Sequence, residues 1–381
     1  MKRYQTIVFM LLGLSLLVGC GSSGNSDNND DDDDIVELSR SFYLGFTPWP
    51  YEATQEAIDT VYDTIQQNGD IVAHHLMDGI PWQESLVGDP FPADLENEVA
   101  GRIAETDSDQ QVYLAVDSLN TNRDNLALNW GEAGGEPLPA PWNTRTFADS
   151  EVVEAYVNFA LAMIARFEPD YFNYGTEVSE LLLNDQDKFA QFVVFAEGVY
   201  TAIKAEYPSL PLMVSVALKS PDSADAEILA TNLNQLSDYV DMVGISVYPY
   251  AFFDHGDKGD PANLSIDWLA QINSLIPGKP VAVTETGWIA ENLEIETFGL
   301  SVQSDPSKQK VFLETLFAEA ENLSASFVIW FTVADYDTLW NEDLGQNDLA
   351  KVWKDTGLLN SSLQTRPAMG TWQDYLARPR D

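Results

Sequence analysis

The 381-residue sequence predicts a closed (β/α)8 barrel, the TIM-barrel architecture of the α/β class. Three observations carry that prediction. Eight short apolar runs alternate with stretches of helical periodicity, which is the strand count of a closed parallel barrel. Two of the runs lead into carboxylates: Val281-Ala-Val-Thr-Glu285, and Asn173-Tyr-Gly-Thr-Glu177 at the end of another. No glycine-rich phosphate turn follows the first run, which argues against the competing doubly wound open sheet.

Residues 1–20 read as a secretory signal. Lys2-Arg3 precedes an apolar run from Ile7 to Val18 that is too short to span a membrane. Leu17-Val18-Gly19-Cys20 resembles a bacterial lipobox, whose cysteine is lipidated and becomes the mature N-terminus. Gly21 follows Cys20. In the lipoproteins it resembles, an Asp in that place favours the inner membrane, so the expected address is the outer membrane of a bacterial cell envelope. Residues 21–37, with Asp30 to Asp34 in an unbroken run, are too polar and like-charged to collapse and read as a disordered tether. Residues 38–381 form the predicted barrel domain.

Cys20 is the only cysteine, which excludes disulfides and thiolate metal sites and leaves the fold to packing alone. A net charge of −42 repels nucleic acid and anionic lipid, so membrane contact is expected through the lipid alone. It also favours neutral over anionic polysaccharides as partners. The chain is expected to be a monomer.

The predicted strands are Phe42–Phe46, Ile71–His75, Val112–Val116, Tyr171–Gly175, Leu212–Ala217, Met242–Ser246, Val281–Glu285 and Phe327–Phe331. Between the first two, Ile58, Val61, Tyr62 and Ile65 recur at helical spacing. Phe189, Phe192, Val193, Ala196, Val199, Tyr200 and Ile203 do the same before the fifth. Asp305-Pro306 marks a helix start, with Phe312, Leu313, Leu316, Phe317 and Ala320 on one face. The stretch Asn120–Ser150, rich in Gly, Pro, Asn and Trp, becomes a loop on the catalytic face.

By this count Glu177 ends the fourth strand and Glu285 the seventh. Two carboxylates across one barrel mouth are what glycoside hydrolysis requires: one protonates the departing oxygen, and the other attacks the anomeric carbon or activates a water. A strand-end Glu in water is the bland alternative for either one.

The segments carrying these residues resemble clan A glycoside hydrolases. Val283-Thr-Glu-Thr-Gly-Trp288 is similar to the nucleophile segment of family 53 endo-β-1,4-galactanases and family 17 β-1,3-glucanases. Val243-Gly-Ile-Ser-Val-Tyr-Pro-Tyr250 resembles the sixth strand of family 53. Gly175-Thr-Glu177 departs from the Asn-Glu of those families and is closer to family 113 β-mannanases. The resemblance implies Glu177 as acid/base, holding its proton at neutral pH, and Glu285 as nucleophile. Such a retaining pair stands about 5–5.5 Å apart. It further implies that Tyr248 bonds the nucleophile and that Trp330 forms the platform under the sugar. Thr176 stands where the clan's Asn binds the sugar 2-hydroxyl.

Trp49, Trp82, Trp142 and Trp288 follow strands or sit in catalytic-face loops, and aromatic faces bind pyranose rings, so they are candidates for a glycan cleft. Core packing is the alternative for each. His74 and His75 end the second strand. One of them would bond substrate or Glu177, unless both are packing histidines. Asp117, Asn120 and Lys219 are further candidates for hydroxyl contacts. No His pair has ligand spacing, so neither a metal nor a cofactor is expected. The functional expectation is an endo-acting retaining hydrolase of a neutral β-glycan, with β-1,4-galactan ahead of β-1,3-glucan and β-mannan. The rival is a catalytically silent glycan-binding protein on the same barrel.

Overall fold

The computed structural model describes residues 38–254, 256–265 and 268–381. The expected signal, lipidated Cys20 and acidic tether lie outside them. The barrel strands are β1 (Tyr43–Phe46), β2 (Ile71–Leu76), β3 (Gln111–Val116), β4 (Tyr171–Asn173), β5 (Leu212–Ala217), β6 (Met242–Val247) and β7 (Val281–Thr286). A two-stranded hairpin, β8 (Leu293–Ile295) and β9 (Leu300–Val302), intervenes before the last barrel strand, β10 (Phe327–Trp330). The barrel closes in the order β1-β10-β7-β6-β5-β4-β3-β2, and every pairing is parallel. All eight predicted strands are present, with ends displaced by at most two residues. The hairpin was not anticipated, because strands of three residues carry too little alternation to read.

Alternation sorts the side chains into two layers. Ile71, Ala73, Tyr113, Ala115, Met213, Met242, Ala282, Phe327 and Ile329 point inward and fill the barrel. Their neighbours Val72, Leu114, Val214, Val243, Val283 and Val328 point outward against the helices. Thr54 caps the helix Gln55–Asn68, and Asp305 caps Pro306–Asn322 by accepting from the amides of Ser307 and Lys308. Asp185 opens the 21-residue helix Gln186–Glu206, whose predicted stripe from Phe189 to Ile203 faces the core. Among the described residues no helix is long and apolar enough to cross a membrane.

Two irregularities position the site. The stretch 120–150 folds over the strand ends and is held by bridges from Asn129 to Ile80 and to Glu136. The second is a bulge in β7. Val283 faces Ile245 of β6, yet the next β6 residue, Ser246, faces Glu285, so Thr284 is extra. On the other side, Val328 and Trp330 of β10 face Val283 and Thr286, so β7 carries one residue more than β10 across the same stretch.

Gly45 packs where β1 meets β2, and a Cβ there would lie 1.9 Å from the Ile71 carbonyl oxygen. Because the obstacle is backbone rather than a movable side chain, Gly45→Ala should cost about 1–3 kcal/mol or more. Urea unfolding would measure it, and an unchanged midpoint would contradict this packing.

Candidate active site

Unbroken alternation along β7 would send Ala282, Thr284 and Thr286 inward and Glu285 outward. The extra residue reverses the parity after Thr284. Thr284 and Glu285 both line the inner pocket, and Thr286 turns outward, fully buried, its hydroxyl donating to the Val247 carbonyl at 2.8 Å. A bulge beside a functional residue re-aims a side chain in just this way.

Glu177 arrives differently. Its backbone is left-handed, with φ 54° and ψ 43°, a conformation that costs a non-glycine residue about 1 kcal/mol or more. Its amide donates to Ser215 Oγ at 2.9 Å, and the helix Val178–Asn184 starts immediately after it. The turn needs Gly175, where a Cβ would come within 2.8 Å of both Phe192 and Val178. The glycine that precedes Thr176 and Glu177 therefore answers to the tight packing of this turn.

The two carboxyls share one mouth. Ser246, paired in register with Glu285, donates to Glu177 Oε1 at 2.7 Å. Glu177 Oε2 accepts from Arg123 Nε at 3.3 Å. Tyr248 donates its hydroxyl to Glu285 Oε1 at 2.7 Å, which leaves Oε2 free of that bond. Burial, and then the Glu177 charge, push the Glu285 carboxyl up to about 7; His75, Tyr248 and Arg123 oppose them. In the free site the raised carboxyl is thus Glu285. The sequence-based expectation had put the retained proton on Glu177.

Behind the pair lies a buried charge relay. Asp117 accepts from Arg123 Nη1 at 2.7 Å, and its other oxygen is 3.1 Å from His75 Nε2. Burial alone would raise Asp117, but Arg123 and His75 hold it well below the carboxylate range. Burial would likewise lower His75, and the Asp117 and Glu285 charges reverse this, so its pKa is raised. Beneath Glu285 the barrel narrows to a pocket of about 10 Å³ lined by His75, Tyr113, Thr176 and Ser246 among others, the size of one water. A space of that size does not admit a pyranose ring.

Several candidates are thereby relocated. Asp117 is buried between His75 and Arg123, so it positions them and offers no free edge to a sugar. Thr176 is buried and lines the floor. Of the two histidines, His75 points into the mouth. His74 points outward, 2.7 Å from Thr106 Oγ1 and packed on Phe167, with burial and Arg102 lowering its pKa to about 3. Asn120 shapes the turn that carries Arg123, and Lys219 pairs with Glu180.

The tryptophan expectations need correction. Trp330 is fully buried on the outer layer, with its Nε1 donating to the Thr356 carbonyl at 2.8 Å, so it is no sugar platform. Its neighbour Phe331 has the inward parity and stands half-buried, 5.6 Å from Trp49. Trp288 is stacked on Phe312 at 4.7 Å with its Nε1 bonded to Ser304, and is likewise core. Trp82 stacks on Trp142 at 5.4 Å and donates to the Ala127 carbonyl, which pins the long loop down. Trp49 alone of the proposed set stays partly exposed at the mouth.

Sequence reasoning missed Arg123, Ser215, Ser246 and Trp353. Arg123 was visible as one of only 19 basic residues, placed in a catalytic-face loop. The serines were visible as isolated polar residues in otherwise apolar strands. Trp353, half-buried with its ring 5.7 Å from Tyr248, follows β10 by a long connection that no local pattern ties to the mouth.

Glu291, Asp335 and Asp355 also bring carboxylate oxygens together. Arg366 grips both oxygens of Asp335 at 2.6 Å and reaches Glu291 at 3.1 Å, while Lys354 pairs with Asp355. The cluster carries its own cations and ties the loop after β7 to the C-terminal segment.

No protein-family model and no curated protein matches the sequence. The fold does have solved counterparts. An exo-β-1,4-mannosidase from Opitutaceae bacterium strain TAV5 aligns with a TM-score of 0.62 at 13% identity, covering 88% of this chain and 59% of that one. A GH5_18 variant from Bifidobacterium longum subsp. longum, in complex with Manβ1-4GlcNAc, aligns at 0.59 and 14% identity over 89% of this chain and 80% of that one. The GH53 catalytic domain of Ignisphaera aggregans aligns at 0.56 and 15% identity over 90% and 98%. The chain spans about 59% of the mannosidase's length. At these identities the likeness establishes the barrel fold.

A carboxyl raised from 4.5 to about 7 binds its proton more tightly folded than unfolded. Its contribution to stability is full below about 4.5 and is lost as pH rises through about 7. Glu285→Gln removes the buried charge, so urea unfolding should show the variant gaining on the parent on the order of 1–3 kcal/mol at pH 8 and little at pH 5. Equal differences at the two pH values would refute this electrostatic picture.

Proposed function

We propose that the chain is a retaining β-glycoside hydrolase acting on a neutral β-linked polysaccharide, with β-1,4-galactan the leading substrate and β-mannan and β-1,3-glucan behind it. The observation that carries the reading is the convergence of Glu177 and Glu285, from the ends of β4 and β7, on one rim with Ser246 between them. The barrel neighbours, named as a mannosidase and a GH53 domain, support the class and the β-1,4 preference.

The roles follow from the contacts. Glu285 Oε2 attacks the anomeric carbon while Tyr248 holds Oε1 in place. Glu177 protonates the departing glycosidic oxygen, then deprotonates the water that releases the sugar. Hydrolysis by this route uses one carboxyl proton, on Glu177 as the glycosidic bond breaks. In the free site burial favours a proton on Glu285. The positive charge that develops at the sugar in the transition state favours an ionised Glu285, while the leaving oxygen takes its proton from Glu177. Glycosylation removes the Glu285 charge and frees Glu177 to act as base.

Glu177→Gln should lower kcat/KM on natural polymer about 10²–10⁴-fold, and Glu285→Gln should abolish turnover. Proton NMR of fresh hydrolysate should show the β-anomer first. An initial α-anomer would contradict retention. Binding of a β-glycan panel without release of reducing ends would favour the silent binding protein.

We also propose anchorage through Cys20 in the bacterial outer membrane. Leu38, where the described chain begins, precedes β1 beside Arg40, which grips Asp70 at the start of β2. That is the end of the barrel opposite the glutamates. Cys20→Ala should move the protein from the detergent phase to the aqueous phase in Triton X-114 partitioning, and continued detergent partitioning would exclude this anchor.

A further inference from the structure

We propose that a groove between the loop after β6 and the β8–β9 hairpin binds additional pyranose rings of the glycan as it leaves the catalytic mouth. The proposal rests on the reading of the mouth given above. The groove encloses about 530 Å³ and is lined by Phe252, Lys258, Phe298, Ser301 and Gln303. That volume lies in the range of small-ligand sites.

Phe252 is 48% and Phe298 53% exposed, in a fold that buries most of its large apolar side chains. Both face this one cavity. An aromatic path joins it to the chemistry. Tyr248 bonds Glu285, its ring lies 5.7 Å from Trp353, and Trp353 lies 6.3 Å from Phe252. Tyr248 itself is buried, and the faces left open are those of Trp353, Phe252 and Phe298, which suit the C–H faces of successive pyranoses.

The polar edge supplies hydroxyl partners. Among the described residues the Lys258 ammonium pairs with no carboxylate and meets only the Ala251 carbonyl, at 3.4 Å. Asp257 stands beside it in the lining, so the groove has no net excess of positive charge. A neutral chain fits this balance better than an anionic one, on a protein of net charge −42.

The walls are tied together in advance. Tyr250 donates to the Val352 carbonyl at 2.9 Å, Lys351 to the Glu294 carbonyl at 2.8 Å, and Thr297 to Asp348 at 2.6 Å. These bonds join the loops after β6, β7 and β10, so binding need not order them.

The test uses full-length protein carrying Glu285→Gln, with and without Phe252→Ala/Phe298→Ala, titrated calorimetrically with β-1,4-galacto- and β-1,4-manno-oligosaccharides of increasing length. Affinity should rise with chain length on the single variant. Removing both rings should weaken the longest oligosaccharide about tenfold or more and leave the disaccharide unchanged. Phe298→Tyr on the same background should keep the gain, since it keeps the aromatic face. Equal loss at every length, no loss at any, or no binding of either series would overturn the proposal. Hydrolysis of aryl β-glycosides by the parent and by Glu285→Gln is followed separately. Equal rates there would sink the catalytic reading, whereas the chain-length dependence of binding would still stand or fall by itself.

Discussion

The arrangement depends on one extra residue in β7. A barrel strand offers alternate side chains to the interior, and the parity set by Ala282 and Thr284 would carry Glu285 into the helical layer. There an unpaired carboxylate would face apolar packing, at a cost of several kcal/mol. Both neighbouring strands record the bulge, since β6 and β10 each skip a residue where they pair with β7. Thr284 and Thr286 hold it in place with hydroxyl bonds to the Ile245 and Val247 carbonyls. Position and function therefore meet in backbone register before any side-chain chemistry is considered.

Once two carboxyls are brought together, the surroundings must keep both from ionising freely or both from being quenched. Arg123 supplies positive charge to the mouth, the Asp117 and Glu285 charges favour the protonated form of His75, and Asp117, buried between the two, fixes where they stand. Arg123 reaches Glu177, whereas Glu285 has a neutral hydroxyl from Tyr248. Burial, and then the Glu177 charge, raise Glu285, and His75, Tyr248 and Arg123 offset only part of that.

Much of this was legible in the sequence. All eight barrel strands, the capped helix at Asp305, the two glutamates and Tyr248 were readable because each rests on local patterns or strand ends. The aromatic assignments were less secure, and parity explains why. Counting inward positions from Phe327 and Ile329 leads to Phe331, so Trp330 could have been assigned to the helical layer from alternation alone. The same rule applied to β7 would have discarded Glu285, because a bulge leaves no mark in composition. Trp82 and Trp288 look like cleft residues until their indole N–H partners are known. Arg123 and Trp353 enter the mouth from loops, whose course depends on tertiary packing that no periodicity encodes.

The distribution of aromatics bears on how the mouth meets a polymer. Seven of the twelve largest fully buried side chains are tryptophans, so most of the indole content holds the loops to the barrel. Among the rings that stay partly or largely exposed, Trp49 and Phe331 lie on the β1–β10 side of the mouth, and Trp353 and Phe252 on the side of the loop after β6. Between these groups the floor is too small for a sugar, and the glutamates stand at its edge. A ring reacting at the rim would be flanked by aromatic surface in both directions. If the proposed hydrolase function holds, such a mouth would grip a glycan by its neighbouring residues and meet the reacting sugar mainly with polar groups. Binding energy from the flanking rings can then position the reacting one, as required if remote contacts are to lower the barrel's reaction barrier.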